Sequence, residues 1–229
     1  MTIIEKTTVD LLIESRKSTR AFTKETVPQE LIAHILETAS RAPSASNMQP
    51  WKAYVTTGKV LEKLTAAVCD AFDNQSGEYK PEYPYYPERH FEPYLSRRRK
   101  VGYDMYRLVG IAKGDREKMH AQHRKNYEFF GAPTGIIFTI HRDLPYGNFI
   151  DYGAFLENIM LSARSHGLDT CLQAGWSDYH RIIREILSIP PEEMVLAGMA
   201  IGYSDTGSPI NQLVTEREPL PVFTTFLSE

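Results

Sequence analysis

Cysteine is scarce in this chain: only Cys69 and Cys171 occur in 229 residues. A disulfide framework is therefore not expected, and a reducing compartment fits. An excess of one charge is missing too. Lys and Arg number 26 against 29 Asp and Glu, a net −3, which gives no general drive toward nucleic acid or a membrane surface. No apolar run approaches the ~20 residues of a bilayer span. The first residues carry no basic start followed by an apolar stretch, so no signal peptide is expected. No Gly-x-Gly-x-x-Gly follows a strand and no Walker loop occurs, which removes the Rossmann and P-loop nucleotide folds. No Gly-x-Ser-x-Gly elbow is present either. Internal repeats and low-complexity tracts are absent. These exclusions leave a cytoplasmic protein, with no nucleic-acid or membrane partner, folded as one compact domain over 1–229.

Periodicity supplies the elements. Val9, Leu11, Leu12 and Ile13 give the stretch before Arg16 a helical look. Pro28 to Arg41 predicts an amphipathic helix, with Pro28 in the first turn and Leu31, Ile32, Ile35, Leu36 and Ala39 along one stripe. Lys52 to Thr57 alternates as a strand. Ile136 to Ile140 and Met194 to Ile201 are continuous apolar runs that read as buried strands. Helices alternating with strands argue for α/β or α+β layering. Arg97 to Lys100 is the one basic run. Val101, Met105 and Leu108 follow it at helical spacing, so it reads as an exposed flank of a helix over Arg97 to Ile111 that carries Tyr103 and Tyr106. Tyr79 to Pro93 is too rich in Tyr and Pro for a helix. It reads equally as a lid over a planar ligand or as a packed loop covering core edges. His120 and His123 have a metal-like spacing, but no acidic or thiol cluster completes a site, and a solvated helix face is expected there. Cys171 sits in an apolar stretch and reads as a packing residue.

Two short segments carry chemistry. Arg16-Lys17-Ser18-Thr19-Arg20 packs three cations and hydroxyls into five residues. A phosphate monoester, at about −1.5 to −2 charge, needs that kind of donor set, with Arg as a planar fork and Lys as a point charge. The plain alternative is a basic helix end facing the C-terminal dipole. Pro43-Ser44-Ala45-Ser46-Asn47-Met48-Gln49-Pro50-Trp51 is a loop of small donors with no charged side chain, which lets backbone approach a ligand closely. Its plain alternative is ordinary loop chemistry after a helix.

Taken with the strand that follows, R-[RK]-S-x-R and P-S-x-x-N-x-Q-P-W resemble the FMN-dependent nitroreductase family. Phe129-Phe130-Gly131-Ala132-Pro133, the helix-like run Asp151 to Ala163, Gly167 to Trp176, Gly198 to Tyr203 and Arg217 extend the resemblance over nearly the whole chain. The segment from about 74 to 121 is where family members differ most. The implied fold is α+β, an α/β/α layered arrangement with a mixed central sheet flanked by helices, in an intertwined homodimer whose C-terminal extension crosses to the partner.

By position, the resemblance implies that Arg16 and Lys17 hold the FMN phosphate, with Arg217 joining from the C-terminal region. Ser18 would bond the ribityl chain or ring edge. Arg20 would stand by flavin N1 and O2, where a fixed cation stabilises the reduced ring. Pro43, Ser44, Ala45, Ser46, Asn47 and Gln49 would reach the partner subunit's FMN. Gln173 and the backbone of Ala174 and Gly175 would lie against N5; Ala174 replaces the glutamate common among relatives, so no carboxylate role is implied. Tyr103 and Tyr106 would line the substrate side. The implied activity passes hydride from NADH or NADPH through FMN to an electron-poor aromatic such as a nitrobenzoate, with no protein nucleophile and no metal. Reductive dehalogenation or quinone reduction on the same fold, and a non-catalytic flavin-binding redox sensor, are the alternatives.

Overall fold

The computed structural model describes residues 5–75 and 77–228. Its centre is a four-stranded sheet in the order β1-β2-β4-β3, built from β1 (Lys52–Thr57), β2 (Thr134–His141), β3 (Asp169–Gln173) and β4 (Glu193–Gly202). All three ladders are antiparallel. The expected mixed character comes down to one parallel bridge, Ser18 to Thr170, on the outer edge of β3.

The apolar runs are continuous because helices cover both faces of the sheet. Ile136, Phe138 and Ile140 of β2 face one core with Ile32 and Ile35 of α2 (Gln29–Ala39) and Tyr152, Phe155 and Ile159 of α6 (Asn148–Ser165). Ile137 points the other way, toward Leu64 and Val68 of α3 (Gly58–Asn74) and Ile183 of α7 (His180–Leu187). Each such fully buried side chain contributes about 1.5–3 kcal/mol. Of the predicted α2 stripe, Ile32, Ile35 and Ala39 are buried, and Pro28 caps the helix.

Two glycines shape the second core. A Cβ at Gly198 would lie 2.5 Å from Trp176 Cδ1, and one at Gly135 would lie 2.5 Å from Phe129. The bare backbone lets the stacked Phe129–Trp176 pair, 4.1 Å between centroids, lie flat on the sheet. That anchors the 3-10 turn Ala174–Tyr179, which leaves the end of β3.

The other end of β4 is closed by ionic contacts. Glu193 is 1% exposed. Its carboxylate accepts from Lys52 Nζ at 2.8 Å, from Tyr54 OH at 2.8 Å and from Thr139 Oγ1. Burial acts to raise its pKa, and the hydrogen bonds from Lys52, Thr139 and Tyr54 overcome that, holding it below the usual value. Beside it, Glu82 pairs with Arg142 at 3.1 Å and Arg184 at 3.5 Å.

Candidate functional site

The basic pentapeptide is extended rather than helical. Helix α1 (Thr8–Ser15) stops just before it, and Arg16 is the C-cap at φ −65°, ψ 130°. Val9, Leu11 and Ile13 form the predicted helix but are exposed. Beyond the cap the chain runs alongside β3: Ser18 bridges Thr170, and Thr19 N–H donates to Thr170 O at 3.0 Å. Because the bridge is parallel, each step from Arg16 toward Arg20 advances toward Gln173. A row of donors therefore leads from the α1 cap to the end of β3.

Asn211 clamps this row, and nothing in its local sequence signals it. It is 5% exposed, in the 3-10 turn Pro209–Gln212. Its Oδ1 accepts from Arg20 N–H at 2.8 Å and its carbonyl accepts from Lys17 Nζ at 2.7 Å. Its Nδ2 donates to Ala21 O at 2.8 Å and Asp205 O at 2.9 Å. One residue thus fixes both ends of the Lys17–Arg20 step, Lys17 through its backbone carbonyl and Arg20 through its side chain. Asn211 sits in a short turn far along the chain from the donor row, yet it organises the site.

Arg16, Lys17, Ser18, Arg20 and Arg217 line one cleft of about 550 Å³. Arg16 stands 3.4 Å from Glu157. Arg217 reaches the cleft from the C-terminal segment, its Nη1 donating to Thr215 Oγ1 at 2.8 Å. At the end of β3, Gln173 is buried. Its Nε2 donates to Asn126 O and to Asn126 Oδ1 at 3.1 Å, while its Oε1 is buried with no partner among the described residues. Ala174 and Gly175 follow directly. Cys171, on the same strand, is buried, and burial pushes its thiol up to about 11. It is a packing residue, as expected, and no thiolate nucleophile.

The Pro43–Gln49 loop stands elsewhere. None of its residues lines the cleft. Ala45 N–H donates to Asp151 Oδ2 at 3.3 Å near the start of α6, and Asn148 Nδ2 contacts Met48 Sδ at 3.8 Å. Ser46, Asn47 and Gln49 all take left-handed backbone, at φ 50°, 56° and 48°, a conformation costing about 1–2 kcal/mol per residue. Ser44 holds it, accepting Gln49 N–H on Oγ at 3.0 Å. Trp51 secures the exit by stacking on Phe155 at 4.8 Å. The loop is a rigid, exposed presentation of small polar groups.

Tyr103 and Tyr106 sit on α4 (Tyr94–Leu108), which begins and ends three residues before the predicted stretch. With Arg20, Arg98, Arg99 and Phe130 they line a groove of about 570 Å³. Arg20 belongs to both groove and cleft. The Tyr-rich loop before α4 is fastened to the body over its first half. Tyr83 OH donates to Leu196 O at 2.6 Å, Tyr85 OH reaches Asp178 at 3.1 Å, and Tyr79 packs on Tyr179. This part is the packed covering loop. Tyr86 then reaches toward α4, with Arg98 over its ring at 5.7 Å.

The His120–His123 segment lies on α5 (Arg116–Arg124). His120 meets Asp73 at 2.8 Å and stacks on Phe72. The expected solvated face needs one correction: Gln122, between the two histidines, is 6% exposed. Burial holds His123 below the usual imidazole value.

Among described residues, no helix is long and apolar enough to cross a membrane. The chain is 40% identical over 221 residues to the chloronitrobenzene nitroreductase of Comamonas testosteroni, covering 96% of this chain and 97% of that one. It is also 40% identical to the 4-nitrobenzoate reductase of Nocardioides sp. strain LMS-CY, over 95% and 89% of the two chains. Its fold superposes on the crystal structure of the FMN and NADPH-dependent nitroreductase NfnB from sphigopyxis sp. strain HMH with a TM-score of 0.93. There the identity is 33%, over 97% of this chain and 100% of that one. The Nitroreductase family model matches residues 13–203, a span that takes in the donor row, the polar loop and the whole sheet: the chain belongs to the nitroreductase family.

Proposed function

We propose that this protein is a homodimeric, cytoplasmic FMN-dependent oxidoreductase that uses NADH or NADPH to reduce nitroaromatic compounds. One observation carries the reading: a single cleft gathers Arg16, Lys17, Ser18, Arg20 and Arg217, on the segment that bridges β3, the strand whose last residue, Gln173, holds a buried amide oxygen with no partner among the described residues. Arg16, Lys17 and Arg217 suit the phosphate of FMN, Arg20 suits the pyrimidine edge, and the orphaned oxygen suits a donor on the flavin ring, so the residues present fit the group.

Bound FMN would supply the two-electron redox chemistry that links a nicotinamide donor to a nitro group. The protein supplies position and charge. Arg16 and Lys17 hold the phosphate end through charge-assisted hydrogen bonds. Ser18 bonds the ribityl chain or the ring edge. Arg20, held by Asn211 through its backbone, keeps a fixed positive charge at the pyrimidine edge, where negative charge develops on reduction. Gln173 and the backbone of Ala174 and Gly175 bound the reactive edge. With one groove adjoining the cleft through Arg20, donor and acceptor would take turns there, in a ping-pong order.

A second copy completes the site. Pro43, Ser44, Ala45, Ser46, Asn47 and Gln49 lie outside their own chain's cleft and form a rigid exposed loop, which suits delivery to the neighbour's flavin. Phe223, Phe226 and Leu227 in the C-terminal segment are exposed apolar groups that suit an extension across the partner. Residues 74–121 form the variable insert of the single domain, with Tyr103 and Tyr106 over the substrate face.

Anaerobic spectroscopy of the purified protein tests this. NADH or NADPH bleaches the flavin absorbance, and a nitroaromatic restores it, in a dimer by light scattering. Colourless protein after soaking with FMN, or a bleached flavin that no nitro compound reoxidises, overturns the reading.

A further inference from the structure

The basic run on α4 is not one uniform charged flank. Arg97 pairs with Glu218 at 2.9 Å, and Lys100 pairs with Asp104 at 2.7 Å and Glu216 at 3.3 Å. Arg107, a turn further on, pairs with Asp104. Arg98 and Arg99 are the exceptions: no carboxylate among the described residues lies within ion-pair distance of either. Arg98 rests instead over the ring of Tyr86, which orients the guanidinium without neutralising it. Both line the groove of about 570 Å³ whose other walls include Tyr103, Tyr106 and Phe130 and whose inner end is Arg20.

This arrangement has two chemical parts. Aromatic side chains offer faces to a flat ring. Two guanidiniums with open donor forks offer bidentate recognition of a carboxylate. His123 also lines the groove, but the permanently charged groups there are Arg20, Arg98 and Arg99, so the fixed cationic character comes from arginine. Because Arg20 is shared with the cofactor cleft, a ring in this slot sits beside the flavin edge.

We propose that Arg98 and Arg99 are specificity-determining residues that read an anionic substituent on the acceptor, so that the protein favours a carboxylate-bearing nitroaromatic over its neutral counterpart. The proposal rests on the reading of the adjoining cleft as the flavin site. Its chemistry would also suit the 2′-phosphate of NADPH; the aromatic side chains Tyr103, Tyr106 and Phe130, together with the Arg20 wall shared with the cofactor cleft, favour the acceptor.

The test uses the FMN-loaded protein and the variants Arg98→Gln, Arg99→Gln and the double substitution. Values of kcat/KM are measured for 4-nitrobenzoate and nitrobenzene, with KM for NADPH alongside. The expected result is a fall of about tenfold in the nitrobenzoate-to-nitrobenzene ratio for the double variant, as loss of a charge-assisted contact on a partly exposed site predicts. The change should fall mainly in KM, and Arg98→Lys/Arg99→Lys should restore part of it. Titration with unreactive benzoate and benzamide, followed by the flavin absorbance difference, gives a readout apart from turnover: benzoate affinity falls in the double variant and benzamide affinity does not. Equal losses for both nitro compounds, or unaltered benzoate affinity, overturn the proposal. A rise confined to KM for NADPH overturns it as well and assigns the pair to the dinucleotide. If neither nitro compound reoxidises the flavin, the functional reading fails, while the benzoate titration still decides the role of the arginines.

Discussion

The two ends of the sheet handle charge in opposite ways. At the start of β4, Glu193 and Glu82 are surrounded by Lys52, Tyr54, Thr139, Arg142 and Arg184, and each carboxylate is met by several donors. Some 27 Å of strand away at β-sheet spacing, where Ser18 bridges Thr170, cations crowd a cleft and adjoining groove with few carboxylates. There Arg20, Arg98 and Arg99 have no acidic partner among the described residues. A buried carboxylate must be matched within the chain, since an unmatched one is strongly destabilising. Cations on an open cleft remain hydrated and can wait for an anion. One end therefore serves stability and the other serves binding, and the missing counter-charge marks the functional end.

This contrast can be broken by exchanging the consequences. Glu193→Ala removes the acceptor shared by three donors and leaves Tyr54 and Thr139 without it. Urea unfolding is expected to register a loss of about 3 kcal/mol, with FMN affinity of the folded fraction preserved. A large loss of FMN affinity without loss of stability would erase the division. Arg16→Ala is the converse. Fluorescence titration is expected to show FMN binding weakened by about 1.5–3 kcal/mol, roughly ten- to a hundredfold, with little change in the unfolding midpoint. An unchanged dissociation constant removes Arg16 from the phosphate.

The smallest effect sharpens the same contrast through pH. The Glu193 pKa is lowered in the folded protein from an ordinary 4.5. Its contribution is complete above that ordinary value and is lost as pH falls through the lower folded one, because the unfolded chain takes up the proton first. Glu193→Gln removes this linkage. Stability curves measured downward from pH 4.5 should fall more steeply in wild type than in the variant. Parallel curves would show that Glu193 is not a source of acid sensitivity.

Much of the frame was legible because it obeys simple periodicities. The β1 strand spans the predicted Lys52–Thr57. The apolar runs in β2 and β4 announce strands covered on both faces, and Pro28 marks the entry to α2. The donor row was legible by residue type and by resemblance. Its extended course was not: nothing local to Arg16–Arg20 says that α1 ends at Ser15 and that the chain then joins the edge of β3. Asn211 was invisible for a similar reason. An asparagine in a turn has many uses, and only the fold brings it against Lys17 and Arg20.

Residue order alone was enough to indicate layered helices and strands, three of the four strands, the family resemblance that implied α+β, and the chemical character of the donors, since these depend on side-chain type and spacing along the chain. Tertiary structure decided which charges are matched. It gave Arg97 and Lys100 to Glu218 and Glu216, left Arg98 and Arg99 open, and kept the Ser44 loop out of its own chain's cleft. Electrostatic pairing acts over a few ångströms of space, and residues more than a hundred positions apart meet or miss one another only when the chain has folded.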